Sequence, residues 1–465
     1  MKKIYFNIMS AALLLSVSLG AAAQEFRTSY FMKTSNLRHQ MNPALLEDSY
    51  FTTPVLGNLN IGATGNVGYK NFVYKLQNNP EYTQTTFVHP SVSASQFLGD
   101  LSDNNKIDVY ANINIFSVGF KAFGGTNLIE MNVRSNTNVA LPKELFEFMK
   151  LTGAREHYSF SDLGVRSQNY AEIALGHSRN INDKLRVGAK LKFLVGMAYA
   201  DLDVDRMDIT MNGDYWRIAA DTRLNAGVLD SKFEYDEDPE TNAPDGRRRV
   251  KGLDDVAFGV PGFGMAVDLG ATYRLNDDWT FSAAVTDLGF IGWSGTKTAS
   301  SQGDYTFDGF EDIYAKGDEA EEVNKIGEQF DRLGDDLEEM FSVYDDGEKS
   351  VSQMLAATVN VGAEYTLPVY RNLRFGFLYT GRIHGIYSYH QAMLSANVRP
   401  VKWFEAVLNT TASTTGFMFG GAISFKAPHF NFFLGSDRIL GKVNKQFIPL
   451  NNMNANVCMG MSIPL

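Results

Sequence analysis

Strict alternation of apolar and polar residues is the feature that most limits what this chain can fold into. In the clearest run every second residue is apolar: Leu185, Val187, Ala189, Leu191, Phe193, Val195, Met197 and Tyr199. Similar runs occur at 265–275, 357–367, 107–115, 171–175, 279–285, 373–379, 392–398 and 417–425. Successive side chains of a strand point to opposite faces, so the pattern predicts an all-β chain whose strands have one apolar face.

Two architectures satisfy this pattern, a soluble β-sandwich and a transmembrane β-barrel. Several runs exceed the roughly 5–6 residues of ordinary strands and approach the roughly 9–11 residues that a tilted membrane strand needs. Aromatic residues also recur at strand ends, where membrane barrels place their interfacial girdles. These are Tyr199, Tyr273, Trp279, Tyr365, Tyr379 and Trp403. Strand length and aromatic placement therefore favour a transmembrane antiparallel up-and-down β-barrel.

The connections between strands support the barrel. Short turns are expected near 180–183, 275–278, 370–372, 399–402 and 426–428, and the first of these alternate with long excursions near 226–260 and 290–350. Outer-membrane barrels sort their connections in this way, with short turns on the periplasmic side. Counting alternating segments predicts 14 strands, or 16 if Leu202 to Thr222 forms a membrane hairpin instead of an extracellular extension.

The first residues indicate export. Lys2 and Lys3 precede a largely apolar stretch, and Ala21 to Ala23 supply the small residues of a signal-peptidase site. We therefore expect a signal peptide over residues 1–23 and a mature chain that begins near Gln24. No cysteine directly follows the cleavage site, which disfavours a lipoprotein. The rest of the sequence contains no run of about 18 apolar residues, so no transmembrane helix is predicted after the signal peptide. An uncleaved N-terminal anchor is the alternative.

The net charge argues against nucleic acid as a partner, and the cysteine content argues against a disulfide-bonded scaffold. Removing residues 1–23 leaves 40 basic and 53 acidic residues, a net charge of −13. Nucleic acid is therefore not an expected partner, because phosphate binding needs a basic surface. Cys458 is the one cysteine, so no internal disulfide can form. It lies on the small-residue face of the last alternating segment, 455–465, where a packed structural role is expected.

The region before the first strand lacks alternation and contains Asn42-Pro43-Ala44. With this motif, and with the strand segments 264–273 and 283–289, the chain resembles the FadL-like outer-membrane barrels and their PorV-like relatives in Bacteroidetes. The resemblance implies a member without assigned activity, a bacterial outer-membrane location, and an N-terminal hatch over residues 24–50 inside a barrel of residues 51–465. Independently, Asn42 is suited to cap a helix whose first position is Pro43.

The excursion at 290–350 contains an acidic amphipathic segment. Apolar residues recur there at spacings of three and four, which predicts a helix over 318–342. The apolar stripe is Val323, Ile326, Phe330, Leu333, Leu337 and Met340. We expect this helix to cover the barrel mouth, and partner binding is the alternative. The regular ligand spacing of an EF-hand calcium loop is absent.

No catalytic or metal-binding pattern stands out. The seven histidines form no helical metal-binding pair, and neither a Gly-x-Ser-x-Gly elbow nor a phosphate-binding loop occurs. We therefore expect no enzyme activity, metal or cofactor. Two functions remain: passive transport of small hydrophobic molecules gated by the hatch, or a non-transporting platform that binds secreted or surface proteins. Outer-membrane lipid is an expected partner in both.

Overall fold

The computed structural model describes residues 25–52, 57–75, 84–212, 215–254, 259–301, 303–307, 340–439 and 454–465. The expected signal peptide lies outside these residues. Within them the strands are β1 Tyr50–Thr52, β2 Leu59–Gly65, β3 Val73–Lys75, β4 Gln84–Thr86, β5 Asn104–Ala122, β6 Gly125–Pro142, β7 His157–Phe160, β8 Leu163–Asn180, β9 Leu185–Asn212, β10 Tyr215–Gly227, β11 Lys232–Tyr235, β12 Arg249–Asp254, β13 Gly262–Arg274, β14 Trp279–Ser300, β15 Gly303–Phe307, β16 Val343–Met354, β17 Ala357–Thr366, β18 Leu373–Ile383, β19 Tyr389–Val401, β20 Phe404–Ser413, β21 Gly416–Ala427, β22 Phe430–Ser436 and β23 Ala455–Pro464.

Helices are few and short. Among the described residues they are α1 Arg38–Met41, α2 Tyr69–Phe72, α3 Ala94–Gly99 and α4 Lys143–Leu151, with 3₁₀ turns at Arg27–Ser29, Pro43–Leu45 and Pro239–Thr241. In the described part of the chain, none is long and apolar enough to cross a membrane.

The strands close into a barrel. Tyr50 in β1 pairs with Pro464 on one side and with Gly119 on the other, so the last strand meets the first. Over the described residues the wall contains 14 antiparallel strands. They are β1 with β2, β5, β6, β8, β9, β13, β14, β16 with β17, β18, β19, β20, β21, β22 and β23. Closure leaves no open edge in the wall, and the predicted barrel is confirmed in preference to a sandwich.

The segment from Leu202 to Thr222 does not add wall strands. The first half of β9, residues 185–196, pairs with β13. Its second half, residues 199–212, which we call the upper half, pairs with β10. Strand β10 in turn pairs with the upper end of β14 and with β15. The segment is therefore an extension beyond the wall, and the 16-strand alternative is wrong.

The two faces of the wall have the predicted polarity. Leu191 and Phe193 are exposed on the outside, whereas Lys190 and Lys192, which alternate with them, are only 2% and 0% exposed and point into the lumen. Exposed apolar residues recur around the outer face, among them Met265, Leu269, Phe281, Phe377, Leu394, Leu408, Phe419 and Val457. An apolar exterior around a polar interior is the arrangement of a barrel that sits in lipid.

One predicted girdle residue is placed wrongly by the alternation. Opposite the β8 pair Asn169 and Tyr170, β9 carries Met197 as an extra residue. Such a bulge shifts the alternation by one, because side chains alternate with a period of two. Tyr199 is therefore buried inside and stacks on Trp293 with ring centroids 5.3 Å apart. Tyr273, Trp279 and Trp403 are exposed, as a girdle requires.

The two ends of the barrel differ. One end, the short-turn end, carries brief connections such as those after Asn180 and Arg274, together with the C-terminus. The opposite, long-loop end carries a second hydrophobic core built from α3, α4, β7, the upper halves of β9 and β10, and neighbouring loops. Its fully or nearly fully buried members include Val67, Phe87, Phe97, Phe148, Val204, Met207, Ile209, Ile218 and Met340.

The predicted acidic excursion is shorter than 290–350. Strand β14 continues to Ser300 and β16 already begins at Val343, and the two strands are paired with each other as far as Ser300 and Tyr344. The stripe residues Val323, Ile326, Phe330, Leu333 and Leu337 lie outside the described residues. Met340 is described, and it is fully buried in the long-loop core.

Candidate functional site

Residues 25–46, which we name the inner segment, lie inside the barrel. Their polar contacts reach inward-facing groups on β8, β9, β14, β17, β18, β20 and β22. These strands are distributed around the wall, so the segment crosses the lumen. Nearly all of its residues are buried.

Asn42-Pro43-Ala44 contacts the two strand segments that were singled out with it in the sequence, 264–273 in β13 and 283–289 in β14. The Asn42 side chain accepts the Ala44 N–H at 3.0 Å and so caps the Pro43–Leu45 turn. Its amide nitrogen donates to the carbonyl oxygens of Ala271 and Ala283, at 3.3 and 3.5 Å. The three segments are thus in direct contact.

Two wall glycines allow this close approach. A Cβ placed on Gly188 would lie 2.4 Å from the carbonyl carbon of Pro43 and 2.5 Å from the Ala44 nitrogen. A Cβ on Gly270 would lie 2.1 Å from the Asn42 side-chain oxygen. Real Cβ atoms do not approach other atoms this closely, so only glycine fits at either position while the motif stays in place.

Two carboxylates, Glu405 in β20 and Asp437 directly after β22, bind the backbone of the inner segment. Asp437 accepts the Thr28 N–H at 2.7 Å and the Arg27 N–H at 3.1 Å. Glu405, which is fully buried, accepts the Thr34 N–H at 2.9 Å and the Thr34 hydroxyl at 2.8 Å. Hydrogen bonds to ionised acceptors are stronger than neutral ones, so these contacts fix the first ten residues of the segment to the wall.

Arg374 extends this attachment to β17 and β18. Its guanidinium donates to the Phe31 carbonyl at 3.0 Å and to Glu364 at 2.8 Å, and it also pairs with Glu405. Lys33 of the inner segment pairs with Glu364 at 3.3 Å. A buried arginine with two carboxylate partners has its charge balanced.

A second group of buried charges lies on β8, β9, β13 and β14, and we name it the lysine cluster. Lys192 is 2.6 Å from Asp287, 2.8 Å from Asp268 and 3.7 Å from Glu172. Asp287 sits at a bulge between β13 and β14 with a φ of 59°, and its N–H donates to Asp268. The bulge turns its carboxylate into the lumen beside Lys192.

Arg134 connects the lysine cluster to the start of the inner segment. Its guanidinium lies 3.0 Å from Glu172, 3.3 Å from Asp287 and 3.1 Å from Glu25. Further down the lumen, Lys190 is 3.8 Å from Glu130, which also lies 3.5 Å from His39. The lumen is therefore filled by paired charges and by the inner segment.

His39 is a buried histidine of the inner segment. Burial lowers its pKa from 6.5 to about 3, and neighbouring Lys190 adds to this lowering against the opposing effect of Glu130. The imidazole is therefore neutral at physiological pH and hydrogen-bonds to the Tyr50 hydroxyl at 2.7 Å.

The His39 pKa predicts a pH dependence of stability. Because its folded-state pKa lies below its unfolded value, the stability linked to His39 is complete above pH 6.5 and is lost as the pH falls from 6.5 towards 3. At pH 5 the loss is about 2 kcal/mol. Urea unfolding of the detergent-solubilised barrel at pH 8 and pH 5 measures it. H39Q should show a smaller drop than the natural protein, and equal drops in both proteins would contradict the assignment.

A polar cleft lies in the lumen between the inner segment and the long-loop end. It offers about 430 Å³ of unfilled space, part of it open to solvent. Most lining side chains are polar or charged, and they include Glu25, Arg27, Arg134, Gln168, Asp287 and Arg382. Tyr170, Tyr389 and Leu355 supply apolar surface. The space lies in narrow gaps, so the cleft admits water or a ligand of few atoms in this state.

The loop between β18 and β19 narrows the barrel mouth above the cleft. His384 and Tyr387 in this loop are buried, and the Ser388 carbonyl accepts from the Lys106 ammonium at 2.7 Å. The Arg166 guanidinium lies 5.3 Å from the centre of the Tyr387 ring. The loop that narrows the mouth is thus anchored to β5 and β8.

Sequence reasoning identifies part of this arrangement. It singles out Asn42, Pro43 and Ala44, which do meet the wall, but it misses Lys192, Asp268, Asp287, Arg374 and Glu405. The available signal is the presence of ionisable residues on the polar faces of long alternating runs, since charges are rarely buried unless paired. Within the described residues, no group of three or more histidine, cysteine, aspartate or glutamate side chains is arranged to hold a metal ion.

Comparison with known proteins yields distant structural likenesses. No curated protein matches the sequence. The toluene transporter TbuX of Ralstonia pickettii is 8% identical with a TM-score of 0.42, covering 93% of this chain and 94% of that one. A Pseudomonas aeruginosa FadL homologue is 9% identical with a TM-score of 0.40, covering 95% and 94%. The Pseudomonas putida toluene transporter TodX is 8% identical with a TM-score of 0.37, covering 92% of each chain.

At TM-scores this low, these likenesses carry no weight for function, and the barrel assignment rests on the strand pairing of this chain. A sequence-family model gives a direct assignment. It is described as a family of unknown function, DUF5723, and it matches residues 43–437, from within the Asn-Pro-Ala motif to the residue after β22. This chain belongs to the DUF5723 family.

Proposed function

We propose that this chain is an exported outer-membrane barrel that passively transports small hydrophobic molecules and that the inner segment, 25–46, is its gate. The observation that carries the proposal is the position of this segment across the lumen. Displacing it opens the interior, whereas leaving it in place keeps the interior filled. The apolar outer face of the wall and the export signal expected over residues 1–23 support the location.

The surface that the inner segment covers supports the choice of cargo. Phe26, Met32 and Leu37 pack on a wall patch formed by Val407, Ala422, Phe433 and Cys458. Tyr30, Phe31 and Met41 pack on a second patch that contains Leu378 and Met393. Displacing the segment would uncover both patches, and they would offer a hydrophobic molecule apolar contacts along the lumen.

The attachment of the gate is suited to release. Besides the apolar packing, it consists of hydrogen bonds and ion pairs, including those from Asp437 and Glu405. Water can replace such contacts when the segment moves, so the net free energy of each is modest compared with its strength in a dry interior.

A disulfide between the gate and the wall tests the proposal. The Asn409 amide donates to the Thr28 hydroxyl at 2.7 Å, so T28C and N409C in a C458A background place two thiols in proximity. In intact cells, uptake of the hydrophobic dye N-phenyl-1-naphthylamine should fall when the pair is oxidised and recover after reduction. The single variants T28C and N409C, treated identically, are the controls.

Equal dye uptake in the oxidised and reduced states, with the disulfide verified by mass spectrometry, would contradict gated transport. A binding platform for secreted or surface proteins would then be the better function. The filled lumen and the separate hydrophobic core at the long-loop end favour this second candidate. Its direct measure is the loss of specific exported proteins from the surface of cells that lack the chain.

A further inference from the structure

Arg382 is a buried cation that forms no ion pair with the described residues. The buried Asp108 carboxylate interacts with it electrostatically but lies beyond ion-pair distance and accepts a hydrogen bond from Asn138. It lies at the top of β18, is 7% exposed and lines the polar cleft. One guanidinium nitrogen donates to the Asn136 side-chain oxygen, which is neutral. A second guanidinium nitrogen, Nη1, has no hydrogen-bond partner among the described residues. Such a group is costly to bury unless an anion or water compensates it.

A second donor without an acceptor faces the same cleft. Gln168 in β8 is 4% exposed, and its side-chain nitrogen Nε2 has no hydrogen-bond partner among the described residues. The carboxylates that line the cleft do not serve these donors, because Glu25 and Asp287 both pair with Arg134. The cleft therefore presents two unused donors, one of them charged, whereas its acids are already paired.

We propose that the cleft is a binding site for a small carboxylate anion. Arg382 is the ion-pair partner of the bound anion, and Gln168 donates a second hydrogen bond. A planar guanidinium matches the geometry of a carboxylate, and hydrogen bonds between ionised groups are the stronger kind. The narrow space limits the ligand to a few non-hydrogen atoms in the closed state. Tyr170, Leu355 and Tyr389 provide the apolar side of the site.

This site goes beyond the proposed transport, since an anion can bind here whether or not any molecule crosses the barrel. Its failure is also separable from failure of the gate. Loss of anion binding leaves the disulfide experiment unaffected, and an ineffective disulfide leaves the acetate measurement unaffected.

Acetate is the probe, and the full mature chain in detergent is the sample. Thermal unfolding is followed while sodium acetate replaces sodium chloride at constant ionic strength. A ligand that binds only the folded state raises the unfolding temperature in a saturable way. We expect such a rise in the natural protein, and we expect R382Q to weaken the apparent acetate affinity by about tenfold or more.

Two controls define the result. R371Q removes a guanidinium from an exposed turn at the short-turn end and should leave the acetate response unchanged. Acetamide, which has the size of acetate without its charge, should give no response. If R382Q fails to fold, Q168L serves as the second variant and should also weaken the response. No acetate response in the natural protein, or the same response in R382Q and Q168L, would show that water alone satisfies these donors and would overturn the proposal.

Discussion

K192M is expected to destabilise the barrel by about 3–5 kcal/mol, because it removes the central cation from a buried group of charges. Lys192 is fully buried and lies within 4 Å of Asp268, Asp287 and Glu172. Methionine fills a similar volume but leaves the buried Asp268 without its cation, and Glu172 and Asp287 keep only Arg134. Because like charges repel and burial disfavours each of them, the remaining carboxylates destabilise the folded state. Urea unfolding of the detergent-solubilised protein measures the change.

Two companion variants identify the cause. K184M removes a lysine from an exposed short turn and should change the unfolding free energy by less than about 0.5 kcal/mol. D268N in the K192M background removes one uncompensated charge, while its remaining side-chain oxygen can still accept the Asp287 N–H. The double variant should therefore be more stable than K192M alone. If D268N makes K192M still less stable, charge imbalance is not the reason for the loss.

G188A is expected to displace Asn42-Pro43-Ala44 from the wall at a cost of about 1–3 kcal/mol. The added methyl group would lie 2.4 Å from the backbone of Pro43, which cannot rotate away as a flexible side chain can. A cysteine at position 44 reports the movement, since A44C in a C458A background should react faster with a membrane-impermeant maleimide when G188A is present. If the inner segment is the gate, uptake of N-phenyl-1-naphthylamine should rise as well.

A glycine in open surroundings provides the matched control. The nearest atom to a Cβ on Gly292 is the Phe263 carbonyl oxygen at 3.7 Å, an ordinary contact distance. G292A should therefore leave the labelling of A44C unchanged. Unchanged labelling in G188A as well, together with lost stability, would mean that the wall moves and the motif stays.

The sequence predicts the wall well because lipid and lumen act on opposite faces of each strand. Leu191 and Phe193 alternate with Lys190 and Lys192, and the structure separates them as expected. The bulge at Met197 is not visible in this pattern, since one extra residue between two apolar stretches changes the face without changing the composition. The alternation therefore assigns Tyr199 to the wrong side of the wall.

The lumen can be predicted much less completely. Asp437 and Glu405 bind residues that precede them by hundreds of positions, and no local pattern encodes such pairs. The Asn-Pro-Ala motif is recognisable as a capped turn, but its fit against Gly188 and Gly270 depends on two strands that curve together in space. Polar-face lysines and aspartates are visible in the alternating runs, although nothing in their spacing shows which of them meet.

The contacts of the inner segment set an order for assembly. Thr28 is bound by Asp437 and Asn36 by Ser462, so the inner segment depends on residues that are synthesised after nearly all of the barrel strands. Contacts this distant in sequence form late, because a long loop must close before they contribute. We therefore expect the inner segment, although it is synthesised before the wall, to reach its final position late, as the seam between the first and last strands closes around it.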